Sequence, residues 1–242
     1  MMGQASFDLI VIGAGQAGPF LAAKLAHAGK KVALIEARQL GGTCVNRGCT
    51  PTKTLRKSAR VAYMARRAAE FGVDVGPVTV NFGVAMARMR KRITDARTGL
   101  EGWLGALPGL TIHYAHGQLA GRDGADFIVQ AGEHTLRAPQ VVLNTGTRSF
   151  MPPIPGLSTV PALDSEGLLA LDELPKKLVI IGGGYISLEM AQIFRRLGAE
   201  VSGIENNTRL TSREDLDVSA DINDLLWSEG IEEITGAKVE SV

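Results

Sequence analysis

The stretch DLIVIGAGQAGPFLAAKLAHAGKKVALIEA, Asp8 to Ala37, decides how the chain folds. An apolar run reaches Ile12, the glycine-rich GAGQAG follows, an amphipathic segment closes at Gly29, and a second apolar run ends at Glu36. That order describes strand, turn, helix and strand. In such a βαβ unit Gly13 allows the tight turn, Gly15 lets the backbone approach a pyrophosphate, and Gly18 lets the helix pack close to the strand. The anion rests on free amides at the helix N-terminus, and the acid at the end of the next strand accepts hydrogen bonds from a ribose.

The pattern recurs. KLVIIGGGYISLEMAQIFRRLGAEVSGIEN, Lys177 to Asn206, repeats it element by element, and the interval from Gly182 to Glu205 equals that from Gly13 to Glu36. Gly182 and Gly184 stand for the first two glycines, while Ser187 takes the third place. The fold class expected is α/β, with two Rossmann-like dinucleotide-binding domains. Twenty-six basic and 25 acidic residues leave a net charge of +1, so no field gathers nucleic acid or an anionic membrane. The apolar N-terminal run is not read as a signal or membrane segment, because no Lys or Arg precedes it, Asp8 opens it and glycines interrupt it. A cytoplasmic location is the resulting expectation.

Between the copies, residues 50–71 read as a helix with Thr50 as cap and Pro51 in its first turn. Residues 81–107 read as a second long helix, whose basic ARMRKR segment is expected to be a solvated face. From Leu110 to Val142 short alternating runs suggest an antiparallel excursion that returns to the sheet. MPPIPGL, Met151 to Leu157, is a proline-rich linker. The division expected is therefore 1–150 and 151–242, with the second domain's own structure starting near Val160.

The only two cysteines lie in GGTCVNRGCTPTK, Gly41 to Lys53. On a regular helix, Cys44 and Cys49 would point about 140° apart. A disulfide between them needs the backbone to leave helical geometry, and Gly48 and Pro51 supply the means, so a small strained loop with a labile disulfide is expected. Two rival readings stand beside it. Tetrahedral zinc wants four ligands, and the histidines are scattered singly at positions 27, 113, 116 and 134. A pair of inert buried thiols is the other.

GGTCVNRGCTPTK resembles the redox signature GGTCxNxGCxPSK of the class I pyridine nucleotide-disulfide oxidoreductases, with Thr52 in the serine position and Arg47 in a variable one. That group contains dihydrolipoamide dehydrogenase, glutathione reductase and mercuric reductase. VIGAGQAG with Glu36, LNTGTRSFMPPIPG beside the group's ATGSxPxxPG, and LPKKLVIIGGGYISLEMA extend the resemblance over nearly the whole chain. It implies domains of the three-layer ββα type, an FAD-binding one followed by an NAD(P)-binding one. FAD would meet Gly13, Ala14, Gly15, Gly18, Glu36, Gly42, Thr43, Thr145 and Gly146. Cys49 would be the thiol beside the flavin and Cys44 the thiol that exchanges with substrate. Lys53 would lie near the flavin, paired with Glu189. Gly182, Gly184, Tyr185, Ile186 and Glu205 would hold the nicotinamide coenzyme, with Tyr185 covering its pocket. Glu205 favours NAD, and Arg209, four residues on, keeps NADP open.

By the same resemblance, electrons would pass from NAD(P)H through FAD to the Cys44–Cys49 disulfide and on to a disulfide, dithiol or metal-ion substrate. Members of the group continue further and end in a dimerisation domain that supplies an acid/base histidine. The second domain is therefore expected to be incomplete and the parent protein a homodimer, and none of the histidines here is assigned a catalytic role. The alternative expectation is a nucleotide-binding fragment without turnover.

Overall fold

A computed structural model describes residues 5–242. In chain order the elements are β1 (Ala5–Ser6), β2 (Leu9–Ile12), α1 (Gly18–His27), β3 (Val32–Glu36), α2 (Gly42–Arg47), α3 (Cys49–Arg66), α4 (Phe82–Gly105), β4 (Leu110–Tyr114), β5 (Gly117–Asp123), β6 (Asp126–Ala131), β7 (His134–Ala138), β8 (Val141–Leu143), α5 (Ser165–Leu169), β9 (Lys177–Ile181), α6 (Tyr185–Leu197), β10 (Glu200–Glu205), α7 (Leu216–Ser228) and β11 (Glu232–Thr235). Two compact units result. One comprises residues up to Pro51 with Lys91–Arg148, the other Thr52–Arg90 with Ser149–Val242.

The first unit is built on a parallel sheet of order β4-β3-β2-β8. Side chains alternate across a strand, so β2 and β3 feed two cores. Ile10, Ile12, Ala33 and Ile35 meet Val129, Ala131, Leu136 and Ala138 of the antiparallel β5-β6-β7 meander. Leu9, Val11, Val32 and Leu34 meet Ala22 and Ala23 of α1 and Leu104 of α4. Meander, sheet and helices make three layers, and burial on both faces explains why β2 is apolar throughout. The expected antiparallel excursion is β5 to β7, while β4 and β8 belong to the parallel sheet.

The second unit has a parallel sheet of order β11-β10-β9. Met190, Ala191, Ile193, Phe194 and Leu197 of α6 are buried, as are Val201 and Leu226. Residues 52–90 join this unit through an apolar stripe of Leu55, Ala59, Ala62, Phe82, Met86 and Met89, and the Phe82 ring lies 6.1 Å from that of Phe194. Burying side chains of this size stabilises a fold by about 1.5–3 kcal/mol each for the larger ones. Val179 and Ile181, the repeat counterparts of Ile10 and Ile12, stand 53% and 42% exposed.

Three local expectations are corrected. The helix expected from Thr50 starts at Cys49 and ends at Arg66, so Thr50 lies inside it rather than capping it; residues 68–71 form a separate 3₁₀ turn. Pro51 is tolerated because amides of a first turn lack helical acceptors. The ARMRKR face is not simply solvated: Arg88 donates to Thr54 O and Ser58 Oγ, and Arg90 pairs with Asp172 at 2.7 Å. Among the described residues no helix is long and apolar enough to cross a membrane.

Candidate functional site

The first glycine turn is held from three directions. Gly13 has φ +103°, and a Cβ there would stand 2.2 Å from the carbonyl oxygen of Asn144. A Cβ on Gly18 would stand 2.2 Å from Gly13 O, so helix and turn approach only because both positions are bare. The amide of Ala14 donates to Glu36 Oε2 at 2.9 Å, while Arg38 N donates to Glu36 Oε1 at 2.7 Å. The Ala14 carbonyl accepts from Gly41 N at 2.8 Å.

The second copy repeats this wiring. Gly182 has φ +109°, Gly183 N donates to Glu205 Oε2 at 2.5 Å, and Gly183 O accepts from Thr211 N at 2.9 Å. Burial works against the Glu205 carboxylate, yet amides of Asn207 and Gly183 and the Asn207 side chain hold it below the usual range. Gly182, Ile204, Glu205, Asn206 and Lys238 line a cavity of about 580 Å³. Arg209 turns elsewhere: its guanidinium donates to Glu214 O, Ser219 Oγ and Ser212 O. Tyr185 and Ile186 open α6 and are 78% and 46% exposed, while Gly184 precedes them as the helix N-cap.

The cysteine segment departs from the expected loop. It is a helix broken once, with α2 carrying Cys44 and α3 beginning at Cys49. Gly48 makes the break, and a Cβ there would press on Thr43 O at 3.1 Å. Both sulfurs are present as thiols, Cys49 exposed and Cys44 partly buried. They meet: burial, a side-chain hydrogen bond with Cys49 and the charge of Cys49 push the Cys44 thiol up, against a hydrogen bond from the Cys49 amide. A regular helix would have turned them apart; the break brings them together. Gly41 enters α2 in the left-handed region at φ +93°, and Gly42, at φ +56°, has its Cα face against Gly15, where a Cβ would stand 2.6 Å from Gly15 Cα. Thr43 follows it on α2.

One helical turn beyond Cys49 along α3, Lys53 Nζ lies 2.6 Å from Glu189 Oε1 on α6. Thr145 and Gly146 follow β8 in an exposed irregular segment, with Gly146 at φ +71°. Two residues of this region carried no expectation. Buried Asn46 donates to Leu40 O and Gly42 O, both at 2.9 Å, fixing the entry to α2. Asn144 donates to Gly13 O at 3.1 Å. The asparagine of GGTCVNRGC stood in the quoted motif; nothing in the sequence marks the partner of Asn144. The bare backbone around Gly13, Gly15 and Gly18 fits a pyrophosphate, and the paired thiols fit two-electron exchange.

Dihydrolipoyl dehydrogenase of Chlamydia muridarum is 35% identical over 98% of this chain and 51% of its own length. Mercuric reductase of Bacillus cereus is 32% identical over 99% of this chain and 37% of its own. Among solved structures, the HOCl-induced flavoprotein disulfide reductase RclA of Escherichia coli superposes with a TM-score of 0.84 at 34% identity, covering 97% of this chain and 50% of that one. The chain thus spans about half the length of the dihydrolipoyl dehydrogenases it matches. Proteins of this kind use FAD and NAD(P)H. A family profile described as pyridine nucleotide-disulphide oxidoreductase matches residues 7–242, the span that holds both glycine turns and the cysteine pair, and the chain belongs to that family.

Proposed function

We propose that the chain carries the electron-relay part of an FAD-dependent NAD(P)H:disulfide oxidoreductase, with Cys44 and Cys49 as its redox pair. The contact of the two thiols across the Gly48 break carries this reading. FAD, when bound, supplies the step that accepts two electrons from the reduced coenzyme and passes them to the disulfide. Gly13, Ala14, Gly15 and Gly18, with Gly42 and Thr43 beside them, hold its pyrophosphate, Glu36 takes its ribose, and Thr145 and Gly146 take a later part of it. Cys49 is the thiol nearer the flavin. Cys44 attacks the substrate sulfur, and Cys49 then displaces the second thiol, re-forming the disulfide. Lys53, held by Glu189, offers a positive charge where reduced flavin carries a negative one.

Gly182, Gly184, Tyr185 and Ile186 hold the nicotinamide coenzyme. Glu205 accepts its ribose hydroxyls, and because Arg209 is tied into its own loop, NAD is favoured over NADP. Burial and the neighbouring Cys49 work against the Cys44 thiolate, and none of the chain's histidines is assigned the part of its base. The whole protein is proposed to act as a homodimer on a disulfide, dithiol or metal-ion substrate, the classes to which the names of its relatives point.

The test is a visible spectrum of the 242-residue chain with FAD, before and after anaerobic NADH. Bound flavin that develops a long-wavelength band on reduction, absent in Cys49→Ser, is the expected result. Protein that takes up no flavin overturns the reading for this chain. Flavin that binds but is not reduced by NADH favours the second reading, a nucleotide-binding fragment without turnover.

A further inference from the structure

The neighbour of Glu205 across the sheet is unusual. β10 and β11 run parallel in the register Gly203↔Glu233 and Glu205↔Thr235. Register partners share a face, and residues two apart share a face, so Glu233 projects to the same side of the sheet as Glu205. Gly203 is bare because the Glu233 carboxylate occupies the space above it: a Cβ at 203 would stand 1.8 Å from Glu233 Oε2 and 2.4 Å from its Cδ.

Glu205 is 8% exposed, and both of its oxygens already accept hydrogen bonds from Gly183 and Asn207. Among the described residues the Glu233 carboxylate makes no hydrogen bond or ion pair. Arg209, four residues beyond Glu205, is bound to Glu214 O, Ser212 O and Ser219 Oγ, and Lys238, which lines the cavity with Glu205, forms an ion pair with neither carboxylate among the described residues. Burial, together with the charge of Glu205, pushes Glu233 up to about 7. Two carboxylates thus share one half-buried face, and no arginine is engaged with either.

We propose that Glu233 is a specificity-determining residue of the adenosine-ribose site, forming with Glu205 a two-carboxylate wall that selects a dinucleotide with a free 2′-hydroxyl over a 2′-phosphorylated one. The inference rests on the reading of Glu205 as the ribose acceptor. One carboxylate suffices to accept ribose hydroxyls. A second, placed behind it and not needed for those hydrogen bonds, acts on the ligand through its field. A 2′-phosphate adds up to two negative charges facing that wall, whereas a hydroxyl adds none. Glu233 makes no contact with the coenzyme, so its removal acts on NADPH and leaves NADH nearly unchanged.

Calorimetric titration of NADH and NADPH into the 242-residue chain at pH 8 tests this, where both carboxylates and the 2′-phosphate are charged. Glu233→Gln keeps the side chain's shape over Gly203. It is expected to tighten NADPH about tenfold, with NADH within about twofold, as loss of one partly screened charge allows. Glu232→Gln is the control: it removes the same charge from the opposite face of β11 and is expected to leave the NADPH-to-NADH ratio unchanged. An unchanged ratio in Glu233→Gln, or an equal change in Glu232→Gln, overturns the inference while the ribose-site reading stands. A wild-type chain that binds neither coenzyme overturns the ribose-site reading and this inference together. Melting both variants alongside separates a change in the fold from a change in selectivity.

Discussion

A methyl group on Gly42 would have nowhere to go, since the backbone is left-handed at φ +56° and Gly15 Cα lies 2.6 Å from the added carbon. Gly42→Ala is therefore expected to cost about 2–4 kcal/mol, the sum of strain and displaced backbone, and to abolish flavin uptake. Urea unfolding and flavin fluorescence read the two effects. At Glu233 the lever is pH. Its folded-state value of about 7 exceeds the ordinary 4.5, so between those values the native chain keeps a proton that the unfolded chain has released. Stability falls as pH rises through that window, and the full cost is present above it. Taken whole the shift corresponds to about 3 kcal/mol, and partial exposure reduces it to about 1 kcal/mol. Glu233→Gln should then melt about 2–4 °C above wild type at pH 8 and level with it near pH 4.5. Gly13, Gly18 and Glu36 were legible in the sequence because each sits at a fixed offset in a motif whose geometry demands it. Asn144 and Glu233 were not, because what makes them matter is Gly13, 131 positions away, and Gly203 on a neighbouring strand.

Among the elements, the broken helix is where local preference and tertiary context part. Glycine, cysteine, threonine and asparagine are poor helix formers, which is why GGTCVNRGC reads as a loop. Asn46 overrides that preference by joining the carbonyls of Leu40 and Gly42, and close packing of Gly42 on Gly15 fixes the start of α2. Asn46→Ala removes both side-chain hydrogen bonds at the entry to α2 and leaves the buried turn there without them. It is expected to destabilise the chain by about 1–3 kcal/mol and to slow formation of a Cys44–Cys49 disulfide on mild oxidation, as followed by thiol titration. The Lys53–Glu189 pair should behave differently. With the lysine side chain 62% exposed, Lys53→Met is expected to shift stability by less than about 1 kcal/mol. A loss of 3 kcal/mol or more would mean that the pair supports the fold rather than the chemistry. The same substitution should slow flavin reduction by NADH, measured by stopped-flow absorbance.

At the scale of the molecule, one of the junctions between the two units falls at Arg148 and Ser149. What no composition shift announced is that residues 52–90 pack with the later unit, because that membership rests on spaced pairs such as Phe82–Phe194, Arg66–Arg196 and Arg90–Asp172. A specific protease site placed between Ser149 and Pro152 should yield fragments that co-elute on gel filtration, since the second unit draws on both; fragments eluting apart would contradict this assignment. The chain passes from one unit to the other three times, at 51/52, 90/91 and 148/149. For anyone shuffling modules among relatives, a single crossover before the second glycine turn would marry Glu189 of one parent to Lys53 of another. A transplant that carries residues 52–90 together with 149–242 moves the lysine and its partner as one inheritance.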